Sequence, residues 1–203
     1  LFQAYFKNAK ISGLVGMISY FGVFIFSPFV SRIVKRFGKK EAVTFGSVVC
    51  ALAYVLMLVL PIPPDSRGLG LYVLCQVIAM LGGGIGNCLS WSLMADAIDY
   101  NEWKFGVREE GTTYALHSFF RKLAQGIGPS LGLVLATKLG YDASLKAAQT
   151  IEVATRMRYL VPIMYLGSYI MMIIAYGVVF NLDKKTLAQM ESDLKERRAK
   201  NEK

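Results

Sequence analysis

The sequence predicts an all-α integral membrane protein with five complete transmembrane helices and the end of another before them. Three observations carry this. Of 203 residues, 54% are hydrophobic and only 18% are charged, with a mean hydropathy of +0.42; an ordinary soluble domain has about 25% charged residues. The apolar residues are gathered into five long runs, and at about 1.5 Å of rise per residue each run can cross a hydrocarbon core about 30 Å thick. Basic clusters, prolines and acidic stretches separate the runs. This composition excludes a disordered chain, a disulfide scaffold and a soluble globular enzyme.

Residues 1–10 open on Leu1 and read as the end of a helix already under way. No basic segment followed by a short apolar core marks a signal peptide, and the sequence is expected to be part of a longer protein. The first span covers 11–30 and stops at Arg32, Lys35, Arg36, Lys39 and Lys40. The second, 42–60, ends at Pro61-Ile62-Pro63-Pro64-Asp65, a clear turn signal. The third, 69–95, contains Gly82, Gly83, Gly84 and Gly86 and runs into an acidic and aromatic loop over 95–111. The fourth, 112–139, carries Pro129, which can kink it. The fifth is 160–180. The third and fourth are long enough to require tilt or bending. Gly82 with Gly86, and Gly128 with Gly132, suit close helix packing. Cys50, Cys75 and Cys88 lack metal-ligand spacing and read as small core residues.

Basic residues set the orientation. With the first loop inside, the cytoplasmic parts hold Arg32, Lys35, Arg36, Lys39, Lys40, Lys104, Arg108 and seven bases from Lys184 onward. The outer parts hold half as many: Lys7, Lys10, Arg67, Lys138, Lys146, Arg156 and Arg158. The bias predicts a cytoplasmic C-terminus and explains the net charge of +9 without nucleic acid. In the tail, Leu187, Met190 and Leu194 fall at helical spacing among acid-before-base pairs such as Glu191 with Lys195. This predicts a short amphipathic helix on the inner membrane surface, attracted to anionic lipid.

The polar residues inside the spans are the functional candidates. An ionisable side chain there costs about 2.5–3.5 kcal/mol on insertion scales. Arg121 and Lys122 begin about ten residues into the fourth span, about 15 Å deep, so they are expected to flank a protein interior or a watery cavity. Tyr114, His117, Ser118, Arg121, Lys122 and Gln125 recur at steps of three and four and make one polar stripe. The third span carries Gln76, Gly83, Asn87, Ser90 and Trp91, and the first Ser12, Ser19, Ser27 and Ser31. Three wet stripes suggest a shared hydrophilic cavity; helix-gluing hydrogen bonds account equally well for the first. In 95–111, Asp96, Asp99, Glu102, Glu109 and Glu110 accompany Lys104 and Arg108. No nucleophile, metal-ligand set or phosphate loop joins them, so no catalytic or metal site is assigned. Breakable ion pairs at the mouth of a cavity, a gate, fit better.

The stretch ADAIDYNEWKFGVREEG followed by TTYALHSFFRKLAQGIG, residues 95–128, resembles the glycoside–pentoside–hexuronide:cation symporters. This branch of the major facilitator superfamily includes melibiose permease and the glucuronide carriers. The basic turn SRIVKRFGKK resembles the superfamily's cytoplasmic loop. The Arg121-Lys122 pair, Gln125 and Leu182-Asp183-Lys184-Lys185 look closest to the glucuronide carriers. The resemblance implies the C-terminal six-helix half of a major facilitator fold, 1–181 forming helices eight to twelve plus the end of the seventh, and 182–203 a cytoplasmic amphipathic tail.

It further implies symport of a sugar, glycoside or hexuronide with Na⁺ or H⁺ by alternating access in the cell membrane, the inner membrane of a bacterium. Lys122 matches the family's eleventh-helix lysine beside the substrate and cation cavity. Asn87 stands where a relative has a cavity Trp, with Trp91 one turn on. Asp96, Asp99, Glu102 and Arg108 match the cytoplasmic charge network that closes the inner side. No cofactor is implied beyond the coupling cation, whose site falls mostly in the N-terminal half, the expected partner. Tyr114, Asn87, Gln125, His117 and Trp91 offer hydrogen bonds and an aromatic surface to a sugar, and Arg121 with Lys122 favours an anionic one such as a uronate. The competing expectation is a non-transporting membrane sensor or scaffold of the same fold.

Overall fold

The computed structural model describes residues 1–201, the side chains of Ala9, 18–26 and Asn201 excepted, so Ser19 lies outside the described residues. Regular structure among the described residues is entirely helical: α1 (Ala9–Phe37), α2 (Lys39–Val59), α3 (Ser66–Phe105), α4 (Glu110–Lys138), a 3₁₀ segment (Ala143–Ala148), α5 (Ile151–Ile174), a π-helical turn (Ala175–Val179) and α6 (Lys184–Asn201). Three helices are long and apolar enough to cross a membrane, Lys39–Val59, Ser66–Phe105 and Ile151–Val179. At 29 residues α4 has the length, but Glu110, His117, Arg121, Lys122 and Gln125 dilute its apolar residues.

The basic cluster after the first span is helix, not loop. Only Gly38 separates α1 from α2, at φ +109°, a conformation L side chains rarely adopt. Its N–H donates to Val34 O at 2.9 Å. From the tail, Lys184 Nζ donates to Lys35 O at 2.7 Å and Arg36 O at 3.3 Å, a cation at the negative end of α1.

The third span overruns its prediction. Asp65 caps α3 by accepting the Gly68 N–H at 2.7 Å. The helix then continues for 40 residues, about 60 Å, and stops at Gly106 in the left-handed region. The expected loop 95–111 therefore shrinks to the few residues from Gly106 to Glu109. Helical burial simply persists past the apolar run, through Leu89, Leu93, Asp96 and Ile98.

Helix α2 lies between α3 and α5, and α1 packs on α3. Ala42, Val43, Gly46, Cys50, Ala53, Tyr54 and Met57 form its buried face, while Phe45, Leu52, Leu56 and Val59 point outward as an exposed apolar row. Where α2 crosses α3, a β-carbon on Gly46 would stand 2.5 Å from Gly82 O, and one on Gly82 would stand 2.6 Å from Gly46 O. Cys50 Sγ donates to Ala79 O at 2.9 Å just beyond. Gly82 thus does mark close packing, but against Gly46. Gly128 has nothing within 4 Å of such a carbon. Cys50 and Cys75 are core residues, whereas Cys88 is exposed.

At the opposite end from Gly38, residues before α1 fold back over the bundle. Tyr5 Oη donates to Ile62 O at 2.6 Å, and Phe2 meets Tyr72 edge-on at 5.6 Å. Helix α5 begins nine residues earlier than its apolar run, and Arg158, expected in an outer loop, is buried in it. Its guanidinium donates to Leu60 O at 2.5 Å and Met57 O at 3.3 Å, closing the C-terminal end of α2. The apolar face of α6, Leu187, Met190 and Leu194, is buried against Tyr100 and Trp103 of α3. The face that its spacing assigns to lipid is covered by protein.

Because backbone atoms would have to move, Gly46→Val and Gly82→Val are each expected to destabilise the bundle by about 1–3 kcal/mol. Gly167→Ala, with open space around it, should not. Thermal unfolding in detergent checks this: equal midpoints for all three variants would contradict the close contact.

Candidate functional site

The polar stripe of the fourth span meets α3 at one aromatic cluster. Tyr114, His117 and Arg121 share a face of α4 at steps of three and four and converge on Trp91. Trp91 and Tyr114 stack with ring centres 6.1 Å apart and planes 25° from parallel. His117 lies 5.5 Å from Trp91, ring centre to ring centre. The Arg121 Cζ stands 5.6 Å from the centre of the Trp91 ring, an attraction worth about 0.5–1 kcal/mol when exposed and about 2 when desolvated. His117 Nε2 is shielded from solvent without a hydrogen-bond partner among the described residues.

Little else holds α4. None of its residues is buried, and it touches α3 and α5 at few points. Tyr114, Arg121, Lys122 and Gln125 are all exposed, so the stripe faces open space rather than an enclosed cavity within this chain. Arg121 and Lys122 do not converge. Adjacent helix positions diverge by about 100°, and Lys122 lines a shallow groove with Gly126, Ile127 and Ser130. Asn87, one turn before Trp91, is exposed, so Trp91 supplies the aromatic surface facing α4. An aromatic face with a guanidinium over it can stack on a sugar ring and fork a carboxylate or sulfonate. Among the described residues no group of three His, Cys, Asp or Glu side chains can hold a metal.

The gate candidates split into two sets, because α3 continues as a helix. Asp96 is buried and accepts from Lys39 Nζ at 2.6 and 2.8 Å, a tie from α3 to the start of α2. Asp99 and Glu102, at the next three-residue steps, accept instead from Arg108 at 2.6 and 2.7 Å. Arg108 also donates to Glu110 at the start of α4, at 2.6 Å, and so joins α3 to α4 across the short loop. Glu102 first, then Asp99 and Glu110, push the Arg108 pKa up by hydrogen bonding its charged form.

Sequence reasoning missed four members of this end, Arg198, Trp103, Asp193 and Arg197. Arg198 of α6 reaches Glu102 at 2.6 Å and Asp99 at 3.5 Å. Trp103 Nε1 donates to Asp193 at 2.8 Å, and Arg197 donates to Trp103 O at 2.9 Å. Lys39 was legible only as one base in a cluster. The available signal was the spacing of Asp96, Asp99 and Glu102, which fits one helix face.

Lys39→Ala strands a largely desolvated carboxylate and is expected to cost about 2 kcal/mol. Arg108→Gln should cost less than about 1 kcal/mol, since its partners are solvent-accessible and keep Arg198. Chemical denaturation of both variants in detergent tests the ranking; a larger loss for Arg108→Gln would reverse this assignment.

The model of the family described as MFS/sugar transport protein matches residues 3–184. An uncharacterised symporter of Bacillus subtilis (strain 168) is 30% identical over 188 residues, 92% of this chain and 39% of the relative. The glucuronide carrier protein homolog of Escherichia coli (strain K12) is 30% identical over 170 residues, 84% of this chain and 34% of the relative. The isoprimeverose transporter of Lactiplantibacillus pentosus is 33% identical over 160 residues, 77% of this chain and 32% of the relative. The chain thus spans about two fifths or less of these relatives.

Proposed function

The chain belongs to the MFS/sugar transport protein family, and on that premise we propose that it is the C-terminal half of a secondary active transporter. The transporter moves a sugar, glycoside or hexuronide with Na⁺ or H⁺ by alternating access. Helices α1 and α4 complete five crossings with the three apolar helices, and the segment before α1 is the end of a sixth. The C-terminus is cytoplasmic, so the Gly38 turn, the end of α3 and α6 lie inside.

One observation carries this reading: among the described residues of α1 to α5, the most polar helix, α4, is also the one with no buried residue. A membrane helix bearing Arg121 and Lys122 is stable where its polar face meets protein or water. The N-terminal half of the transporter supplies that environment, and the space between the halves is the substrate path. Trp91 and Tyr114 then present a flat surface to the sugar, Arg121 pairs with a carboxylate, Asn87, His117 and Gln125 line the same path, and Lys122 borders it from the neighbouring groove. At the inner end Arg108 links α3 to α4, so its ion pairs break when α4 swings away. Their small individual worth suits a gate that opens repeatedly. A glucuronide-like substrate is favoured because the cation over Trp91 has no carboxylate partner among the described residues.

Uptake by membrane vesicles holding the complete transporter tests the proposal, with Na⁺ and H⁺ gradients imposed separately. Gradient-driven uptake of a labelled glucuronide is expected. Arg121→Ala should lower it about tenfold, the loss of one charge-assisted hydrogen bond of about 1.5 kcal/mol, while sparing uptake of a neutral glycoside. Undiminished glucuronide uptake in Arg121→Ala and Lys122→Ala would refute the cationic site. No gradient-driven flux of any sugar would refute the transporter.

A further inference from the structure

From the inner end of α1 and α2 we infer a binding site for an anionic phospholipid, distinct from the substrate path. Ile33 and Phe37 of α1 and Glu41, Ala42 and Phe45 of α2 line a groove of about 400 Å³ beneath the Gly38 turn. Phe37 is 55% and Phe45 62% exposed. Phe45 also heads the outward apolar row of α2 that continues through Leu52 and Val59. The groove therefore opens on the surface that hydrocarbon covers, and its apolar lining suits an acyl chain.

The charge at its rim selects the headgroup. Arg36 Cζ stands 5.3 Å from the Phe37 ring centre, and Arg32 Cζ stands 5.6 Å from that of Phe29, two turns back on the same face. Each guanidinium is laid on an exposed ring where the apolar row ends, the level at which headgroups begin. Neither arginine forms an ion pair among the described residues. Glu41, the one acid in the lining, sits in the first turn of α2, where the helix dipole stabilises it. A phosphate on Arg32 and Arg36 with one chain laid along Ile33 and Phe45 satisfies both the cations and the groove. Topology alone requires only a count of bases on one side. It does not require two arginines held over rings at the mouth of an apolar groove.

The test places the purified complete transporter in nanodiscs of mixed phosphatidylcholine and phosphatidylglycerol and counts the lipids retained after mild extraction by native mass spectrometry. Retention of phosphatidylglycerol over phosphatidylcholine is expected. The double variant Arg32→Gln/Arg36→Gln should weaken it about thirtyfold, about fivefold for each charge. Lys195→Gln/Lys200→Gln removes the same charge from α6 and should leave retention unchanged. Ile33→Trp fills the groove and should displace the lipid with both arginines in place, its thermal midpoint confirming the fold. Equal retention of the two lipids, an unaffected arginine variant, an equal loss in the α6 control, or full retention with Ile33→Trp would each overturn the inference.

Discussion

The backbone contact between α2 and α3 at Gly46 and Gly82 sets the plan of the whole bundle. In a bilayer no hydrophobic gain drives helices together, because lipid tails are as apolar as leucine; close van der Waals approach has to do so. Two glycines facing each other let the carbonyl of each helix fill the space a side chain would need. With α2 drawn against α3, its small and medium residues turn inward, and α5 settles on its remaining flank. Arg158 then fixes that flank by donating to the open carbonyls at the end of α2.

The same plan leaves α4 aside. Its stripe of Tyr114, His117, Arg121, Lys122 and Gln125 has no room in an interior built from glycine, alanine and tyrosine, and Trp91 meets it at Tyr114, His117 and Arg121. A helix attached by an aromatic seam, an exposed ion pair and a few contacts to α5 can tilt without dismantling the core. Its polar side stays available to whatever covers it. That combination of rigid core and loosely attached polar wall is the physical basis for the transport role proposed above.

At the opposite level of the bundle, α3 runs on past the apolar region and becomes a platform for charge. Asp96 binds inward to Lys39, while Asp99 and Glu102 turn toward Arg108 and Arg198. Glu102 serves both arginines, so one can leave while the other keeps the carboxylate paired. Buried apolar residues of α6 hold Arg198 in place, whereas Arg108 depends on a four-residue loop between two helices. The cation that bridges α3 and α4 is therefore the one carried by a loop rather than by a packed helix.

The sequence by itself determined the membrane environment, the helical class, the polar stripe on α4 and the acidic spacing at 96, 99 and 102. All of these follow from composition and from the 3.6-residue period, which are local properties of the chain. Tertiary structure alone decided the rest. The length of an apolar run marks where hydrocarbon ends, not where helical hydrogen bonding ends, so α3 and α1 outran their predicted spans. Partner choice is non-local in the same way. Lys39 was one of five nearby bases, and nothing local told it from Lys40; Arg198 lies 96 residues from the Glu102 it contacts. The tail's apolar face reads the same whether lipid or protein covers it, and the overrun of α3, with the partly buried Tyr100 and Trp103 at its end, provided protein. Arg121 and Lys122 are likewise indistinguishable by sequence position, yet about 100° of helical rotation laid one over Trp91 and sent the other to a separate groove.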